Sequence, residues 1–302
     1  MKSKIMKLIV VGSMTGTIFG VANNVSAQSN NVLDSNQYKN VLNQNMNSEP
    51  KYLSFSTAEG ETIKIGAMKS SDSKYGNSEI YKFNSSSNEK EIAPKIKKIE
   101  NGVEQIIEIE PLNGNTDYNI PFDFQNGESI KLEKDGSAVI YNKTKDSIAV
   151  IMPTEAKTKS GKTLEVKTKL INKNTLSYHV NFKGETEPVT IAAKALSYSF
   201  SQYFSSGKWI TRDGMLSLSL QPTSLLTKVN SNPNVNGAIR TDSWNKVKNK
   251  FSGSGNWKNT GSMENQYYCH VDTAQRFKTP WNLEPHRPNV GYTQTVKKLC
   301  NP

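Results

Sequence analysis

Cysteine and histidine are scarce in this chain, with two of the former and three of the latter in 302 residues. Cys269 and Cys300 make no Cys-x-x-Cys pair, which excludes the usual structural zinc site. No Gly-x-Ser-x-Gly elbow and no His-Glu-x-x-His helix motif occurs, so the α/β-hydrolase and zinc-peptidase patterns are absent. Beyond residue 27 no apolar run approaches the roughly 20 residues that cross a bilayer as a helix. Tryptophan is missing from residues 1–200, and all four (Trp209, Trp244, Trp257, Trp281) follow. Acidic residues are the last shortage. Residues 28–200 balance Lys/Arg against Asp/Glu, whereas residues 201–302 carry thirteen basic against five acidic side chains. A surplus of one sign confined to one region marks a surface for an anionic partner.

What is present divides the chain into four segments. Lys2, Lys4 and Lys7 precede a mostly apolar stretch from Leu8 to Val21, and Val25-Ser26-Ala27 supplies the small residues of a signal-peptidase site. Residues 1–27 read as a signal peptide cleaved after Ala27, giving a secreted or wall-associated protein. Residues 28–50 are rich in Asn, Gln and Ser with few large apolar side chains. They cannot bury enough surface to offset ordering, and read as a flexible tether. Residues 51–200 form a β-rich carrier domain and residues 201–302 a basic C-terminal module.

The carrier assignment rests on period two. Ile63/Ile65, Ile107/Ile109, Tyr118/Ile120/Phe122, Leu164/Val166 and Leu176/Tyr178/Val180/Phe182 alternate with polar residues, as half-buried antiparallel strands do. Asn113-Gly114, Asn126-Gly127, Asp135-Gly136, Ser160-Gly161 and Lys183-Gly184 supply turns between them. The fold class is therefore mostly β. An antiparallel β-sandwich or open barrel is followed by a small disulfide-bridged α+β module. Ala156-Lys-Thr-Lys-Ser-Gly161-Lys162-Thr163 matches a permissive phosphate-loop pattern, but an alternating strand follows it where that loop needs a helix, so it reads as a turn. His179 faces solvent on its strand.

In the module, Met215 to Leu220 alternates as a strand. Thr241-Asp242-Ser243 reads as the N-cap of a helix carrying Trp244, Val247 and Phe251 on one face. Lys246, Lys248 and Lys250 take the other sides, with Lys246 and Lys250, together with Arg212, as candidate anion-binding residues. In an oxidising compartment Cys269 and Cys300 pair as a disulfide. It closes a loop of about 31 residues, worth roughly 3–4 kcal/mol in the chain-entropy model. Residues 201–207 read as an exposed joint between carrier and module.

Two stretches resemble known families. Ile148–Pro153, Ser160-Gly161-Lys162 and Tyr178-His179-Val180 resemble a β-rich segment of exported Gram-positive proteins, which implies a carrier or folding role. Trp281-Asn-Leu-Glu-Pro285, Arg287-Pro288 and the terminal Cys300-Asn-Pro302, with Trp209, Arg212 and Pro222-Thr223, resemble a domain of unknown function. That domain lies at the C-termini of exported actinobacterial and Gram-positive proteins. The resemblance covers about residues 205–302 and implies boundaries rather than an activity. An aromatic residue stands in the family pattern where this chain has His286.

The residues allow general acid–base chemistry. His270 could exchange a proton near neutral pH, Glu284 could orient it or serve as the second proton-transfer group, and Arg287 or Arg212 could hold an anion. The opposing reading makes Glu284 an ion-paired structural carboxylate and His270 a wall residue. His270, Asp272 and His286 would make a metal site only with further partners, so no metal and no cofactor are expected.

Three functions fit this pattern. The first is an exported antibacterial effector cleaving phosphodiesters in an anionic polymer such as nucleic acid, with an immunity protein as partner. The second is a non-catalytic module binding wall teichoic acid or glycan. The third is a membrane-perturbing toxin, for which Leu216/Leu218/Leu220 would supply a short hairpin. The pattern alone does not decide whether the chain is an enzyme. The leader assignment is testable by itself: mass spectrometry of the secreted protein should give a mature N-terminus at Gln28.

Overall fold

A computed structural model describes residues 52–70, 81–83, 90–92, 94–110, 114–227, 235–274 and 277–302. The expected leader and tether at 1–50 lie outside the described residues.

Alternation in the carrier region translates into two larger antiparallel sheets, besides the two-stranded pairings of Tyr52–Ser56 with Thr62–Gly66 and of Tyr81–Phe83 with Lys90–Ile92. The larger has eight strands. Its path runs through residues 163–164, 155–158, 189–196, 147–151, 138–141 and 129–132. Val189–Leu196 pairs in addition with Gly102–Ile109, which pairs with Lys95–Ile99. The second sheet orders Val166–Asn172, Thr175–Asn181, Asn115–Pro121 and Lys69–Ser70. Ile107, Ile109, Ile191, Tyr118, Ile120, Tyr178 and Val180 from the two sheets enter one apolar core. Two separate sheets around a shared interior make this a sandwich rather than an open barrel.

The phosphate-loop look-alike is a hairpin. Glu155–Thr158 pairs with Thr163–Leu164, and Gly161 closes the turn at φ +91 with its amide donating to the Thr158 carbonyl. His179 lies on the outer face, its Nδ1 2.6 Å from Asp117 Oδ1 on the adjoining strand.

Alternation breaks down most fully in one strand. Ser147–Ile151 is buried at all five positions, which requires cover on both faces of the sheet. The C-terminal region supplies the second cover. Val139, Val150 and Leu196 from the outer face of the larger sheet join Tyr203, Phe204, Leu218, Trp244, Val247 and Trp281 in a second core. Each fully buried Val or Leu there contributes about 1.5–3 kcal/mol. Residues 201–207 are consequently tied into regular structure, with Ser201, Ser205 and Ser206 still exposed. They form the end of helix α1 (Phe200–Tyr203) and the start of a strand, and Tyr203 and Phe204 are buried.

The module builds its own three-stranded sheet. Phe204–Arg212 and Met215–Pro222 form a hairpin closed by Asp213-Gly214, both at positive φ (52° and 74°), the requirement of a type I′ turn. Trp281–Leu283 adds the third strand. A short helix α2 (Ser224–Thr227) follows the hairpin, and α3 spans Gly237–Phe251.

Helix α3 starts a turn earlier than Thr241-Asp242-Ser243 suggested, because its first amides are satisfied by distant side chains. Asn236 accepts from the Ile239 amide, Asp135 Oδ2 from Gly237 and Ser137 Oγ from Ala238. Asp135 and Ser137 belong to a turn of the β region, so the helix N-terminus is docked there. Trp244 and Val247 are buried as expected. Helix α4 (Thr260–Cys269) went unanticipated, because Met263, Gln266 and Tyr267 carry too little apolar period to announce it. Cys269 at its end is bridged to Cys300, with Cα atoms 5.3 Å apart, as the cysteine pairing anticipated. A π-helical turn, His270–Ala274, continues from α4, and α5 spans Tyr292–Lys297. Among the described residues no helix is long and apolar enough to cross a membrane.

Docking α3 on the sheet buries charge. Lys246, 6 % exposed, pairs with Glu59, donates to the Ser147 carbonyl at 2.9 Å and lies 3.9 Å from Asp242. Tyr203 donates to Asp242 Oδ2 at 2.7 Å. Ser147 Oγ lies near enough to ease the carboxylate charge, yet not in hydrogen-bond geometry. Desolvation raises the Asp242 carboxyl from the usual 3.8 to about 6, against the pull of Lys246. A folded-state value above the unfolded one means that the native state holds this proton more tightly. The group's stabilising contribution is complete below about pH 4 and lost as pH rises through 6. Asp242→Asn should therefore gain stability relative to wild type, by an amount of order 2 kcal/mol, between pH 4 and pH 7. Thermal unfolding of both proteins across that range checks the trend.

Candidate functional site

Strand pleating gathers the charged candidates at one end of the module sheet. Arg212 ends the first strand of the hairpin, and Glu284 directly follows the third strand. Arg212 Nη2 lies 3.3 Å from Glu284 Oε1, and Arg287 Nε lies 2.6 Å from Glu284 Oε2. The carboxylate is 1 % exposed, whereas the Arg212 and Arg287 side chains are 51 % and 29 % exposed. A buried carboxylate bound by two guanidiniums serves as their anchor.

The backbone of Glu284 is clamped as firmly. Its amide donates to Gln266 Oε1 at 2.8 Å, and Gln266 Nε2 donates to its carbonyl at 3.0 Å. Asn301 Nδ2 donates to the Asn282 carbonyl at 2.9 Å and to Gln266 Oε1 at 3.2 Å. The Trp281–Pro285 and Cys300–Pro302 motifs thus meet through Gln266, a residue to which the sequence alone assigned no role. Their neighbour Lys278 donates to the Leu299 carbonyl and to Asn301 Oδ1. Burial lowers the Lys278 pKa; the Glu284 charge opposes that shift and the Arg212 charge adds to it. Three cations therefore neighbour one buried carboxylate, with exposed Asp213 at 4.0 Å from Arg212 as a second, solvated anion.

His270 is placed differently. It is 0 % exposed, and its ring stacks on Trp281 at a centroid distance of 6.1 Å and an interplanar angle of 10°. Neither ring nitrogen has a partner in hydrogen-bond geometry, although the Asn282 backbone weakly favours its proton. Burial, and then the Lys278 charge, lower its pKa from 6.5 to about 3. In this conformation it is a neutral wall residue with no face open to a polymer. Glu284 has both oxygens occupied by arginine. His270 and Glu284 are consequently not assembled at the surface as a proton-transfer pair, whereas Arg212, Glu284 and Arg287 lie together.

The two lysines lie elsewhere. Lys246 and Lys250 line a cleft of ≈ 620 Å³ together with Glu59, Glu61 and Asp146. Lys246 is buried and ion-paired, and Lys250 lies 4.2 Å over the Phe200 ring. Three carboxylates oppose an anionic guest there, so neither lysine is placed as a phosphate contact. Of the residues weighed as metal ligands, Asp272 accepts from Arg240 at 2.9 Å and from the Tyr292 hydroxyl at 2.6 Å. His286 is exposed. Among the described residues no group of three or more His, Cys, Asp or Glu is arranged to hold a metal. The Arg240 guanidinium also stacks 3.5 Å over the Tyr268 ring; this cluster escaped sequence reading because its members lie on four separate elements.

The motif segments, now seen packed together, coincide with a known family region. Residues 204–302 match the family model described as "Protein of unknown function (DUF2599)". No curated protein and no solved structure matches the chain. The matched region begins inside the buried Tyr203-Phe204 pair and ends at Pro302, so it takes in the module hairpin, the disulfide and the Arg212–Glu284–Arg287 cluster.

His270 gives a pH test of its own. Its folded value lies below the unfolded one, so the unfolded chain takes up a proton below about pH 6.5 while the native state refuses it until about 3. The associated stability is complete above 6.5 and lost as pH falls through that window. His270→Phe, which keeps the stack on Trp281, should become progressively more stable than wild type as pH drops from 7 to 5, as read by thermal unfolding.

Proposed function

We propose that this is an exported protein whose C-terminal module binds an anionic, phosphate-bearing polymer of the cell envelope without chemically altering it. The observation that carries the reading is the Arg212–Glu284–Arg287 cluster. A buried carboxylate orients two partly exposed guanidiniums, with Lys278 alongside, and guanidinium is well suited to phosphate oxygens. The module's thirteen basic against five acidic residues supply the longer-range attraction. Burial and neutrality of His270, with the engaged oxygens of Glu284, weigh against phosphodiester cleavage. Leu218 and Leu220 lie in the second core, which weighs against a releasable membrane hairpin.

Binding of the mature, disulfide-intact protein to poly(glycerol phosphate) is the test. Three phosphate contacts should weaken binding on the order of a hundredfold between about 0.05 and 0.5 M salt. Arg212→Gln with Arg287→Gln should remove most of the affinity and flatten that salt dependence. Affinity unchanged by salt or by the double substitution overturns the reading. So does turnover of RNA, DNA or the polymer that disappears in folded His270→Gln.

A further inference from the structure

The cleft lined by Lys246 and Lys250 opens where the β region meets α3, and none of Arg212, Glu284 and Arg287 belongs to it. Its volume of ≈ 620 Å³ falls within the roughly 300–1,000 Å³ of small-ligand sites. Its walls come from stretches far apart in the chain: residues 59–61, residues 142–148, Phe200 of α1 and the second half of α3. Packing of the module on the larger sheet thus leaves a gap along the seam that neither core fills.

The lining is polar and already oriented. Asn142 Nδ2 donates to Glu61 Oε1 at 2.8 Å, and Asn249 Nδ2 donates to Asp146 Oδ1 at 2.8 Å. Glu59 is held by Lys246. A carboxylate offers about four acceptor positions, so these bonds fix the groups without exhausting them. Ser147, part of the same lining, is 1 % exposed, and its hydroxyl has no hydrogen-bond partner. Buried hydroxyls are normally paired.

Charge and hydrogen-bonding type select the guest. Three acidic side chains (Glu59, Glu61, Asp146) stand against two basic ones (Lys246, Lys250), so the signs nearly cancel. A polyanion meets the acidic groups there, and a polycation meets the lysines. A neutral molecule rich in hydroxyls meets neither objection, because each hydroxyl can donate to a carboxylate and accept from an ammonium or amide. Phe200, with Lys250 Nζ 4.2 Å over its ring, adds an apolar wall. The C–H face of a sugar ring suits such a wall.

We infer that this cleft is a binding site for a neutral glycan chain. This goes beyond phosphate-polymer binding and stands on different residues. An occupant of the cleft touches both the β region and α3, so its binding stabilises the folded chain by mass action.

The experiment is calorimetric titration of the mature protein with two neutral probes, maltotetraose and tetra-N-acetylchitotetraose, with thermal unfolding in their presence. Chitosan tetraose, the second probe's backbone with free amines, is the charged control, and the poly(glycerol phosphate) assay runs beside them. At least one neutral probe should bind and raise the unfolding temperature, and the amine form should bind more weakly. Glu61→Ala with Asn249→Ala takes an acceptor and an amide from two walls and should weaken neutral-probe binding about tenfold or more. Ser252→Trp, at the exposed residue that ends α3, should obstruct the cleft to a similar degree while unfolding at the wild-type temperature without sugar. Both variants should bind poly(glycerol phosphate) as wild type does. Failure of both neutral probes to bind overturns the inference, as does tighter binding of the amine form or unchanged affinity in either variant. Loss of polymer binding in the cleft variants also overturns it, because the cleft would then serve the polymer. A failure of Arg212→Gln/Arg287→Gln to affect polymer binding overturns only the earlier reading.

Discussion

Burial of both faces of one β-sheet is the constraint on which the rest of the molecule depends. Ser147–Ile151 has no wet side, so something must cover the outer face of the larger sheet. The C-terminal module does so through Trp244, Val247 and their neighbours. With that contact made, α3 must run across the sheet. Its first amides then meet Asp135 and Ser137, and Lys246 is carried into the interface, where Glu59 and the Ser147 carbonyl satisfy it. A lysine that would be solvated on an isolated helix becomes a structural cation. Carrier and module meet in one apolar interior, and the cleft beside them is lined by carboxylates.

Electrostatics in the module obeys the same logic at a smaller scale. Buried charge persists where it is paired and disappears where it is not. Glu284 is paired by two arginines, and it holds those arginines at the surface. His270 has no charged partner and gives up its proton instead. The two residues that a reader of the sequence would join as an acid–base pair have thus been sent in opposite directions by their surroundings. What remains at the surface is positive charge with defined geometry, which favours binding over catalysis.

Much of this was legible beforehand. Alternation located the strands carrying Ile107, Tyr118 and Tyr178, since period two follows directly from backbone pleating. The alternating strand from Leu164, standing where a helix would be required, excluded a phosphate loop. The disulfide followed from reading the chain as exported to an oxidising compartment; Arg212, Glu284 and Arg287 were each named as candidates, but in separate roles, and only the fold showed them side by side. Helix α4 was not legible, because its packing uses Gln266 and Tyr267 rather than an apolar stripe. The start of α3 was misplaced, because its capping groups come from a turn about a hundred residues earlier.

By itself the sequence determined whatever depends on short-range geometry: strand period, turn chemistry, the cysteine pair and the placing of basic residues in the last third. Only the tertiary structure decided which of those residues keep their charge and which face water. Lys246 and Arg212 are both cations in the sequence, yet one is buried beside Glu59 and the other half exposed above Glu284. The difference lies in desolvation and in partners brought within a few ångströms from distant parts of the chain, and no local pattern encodes either.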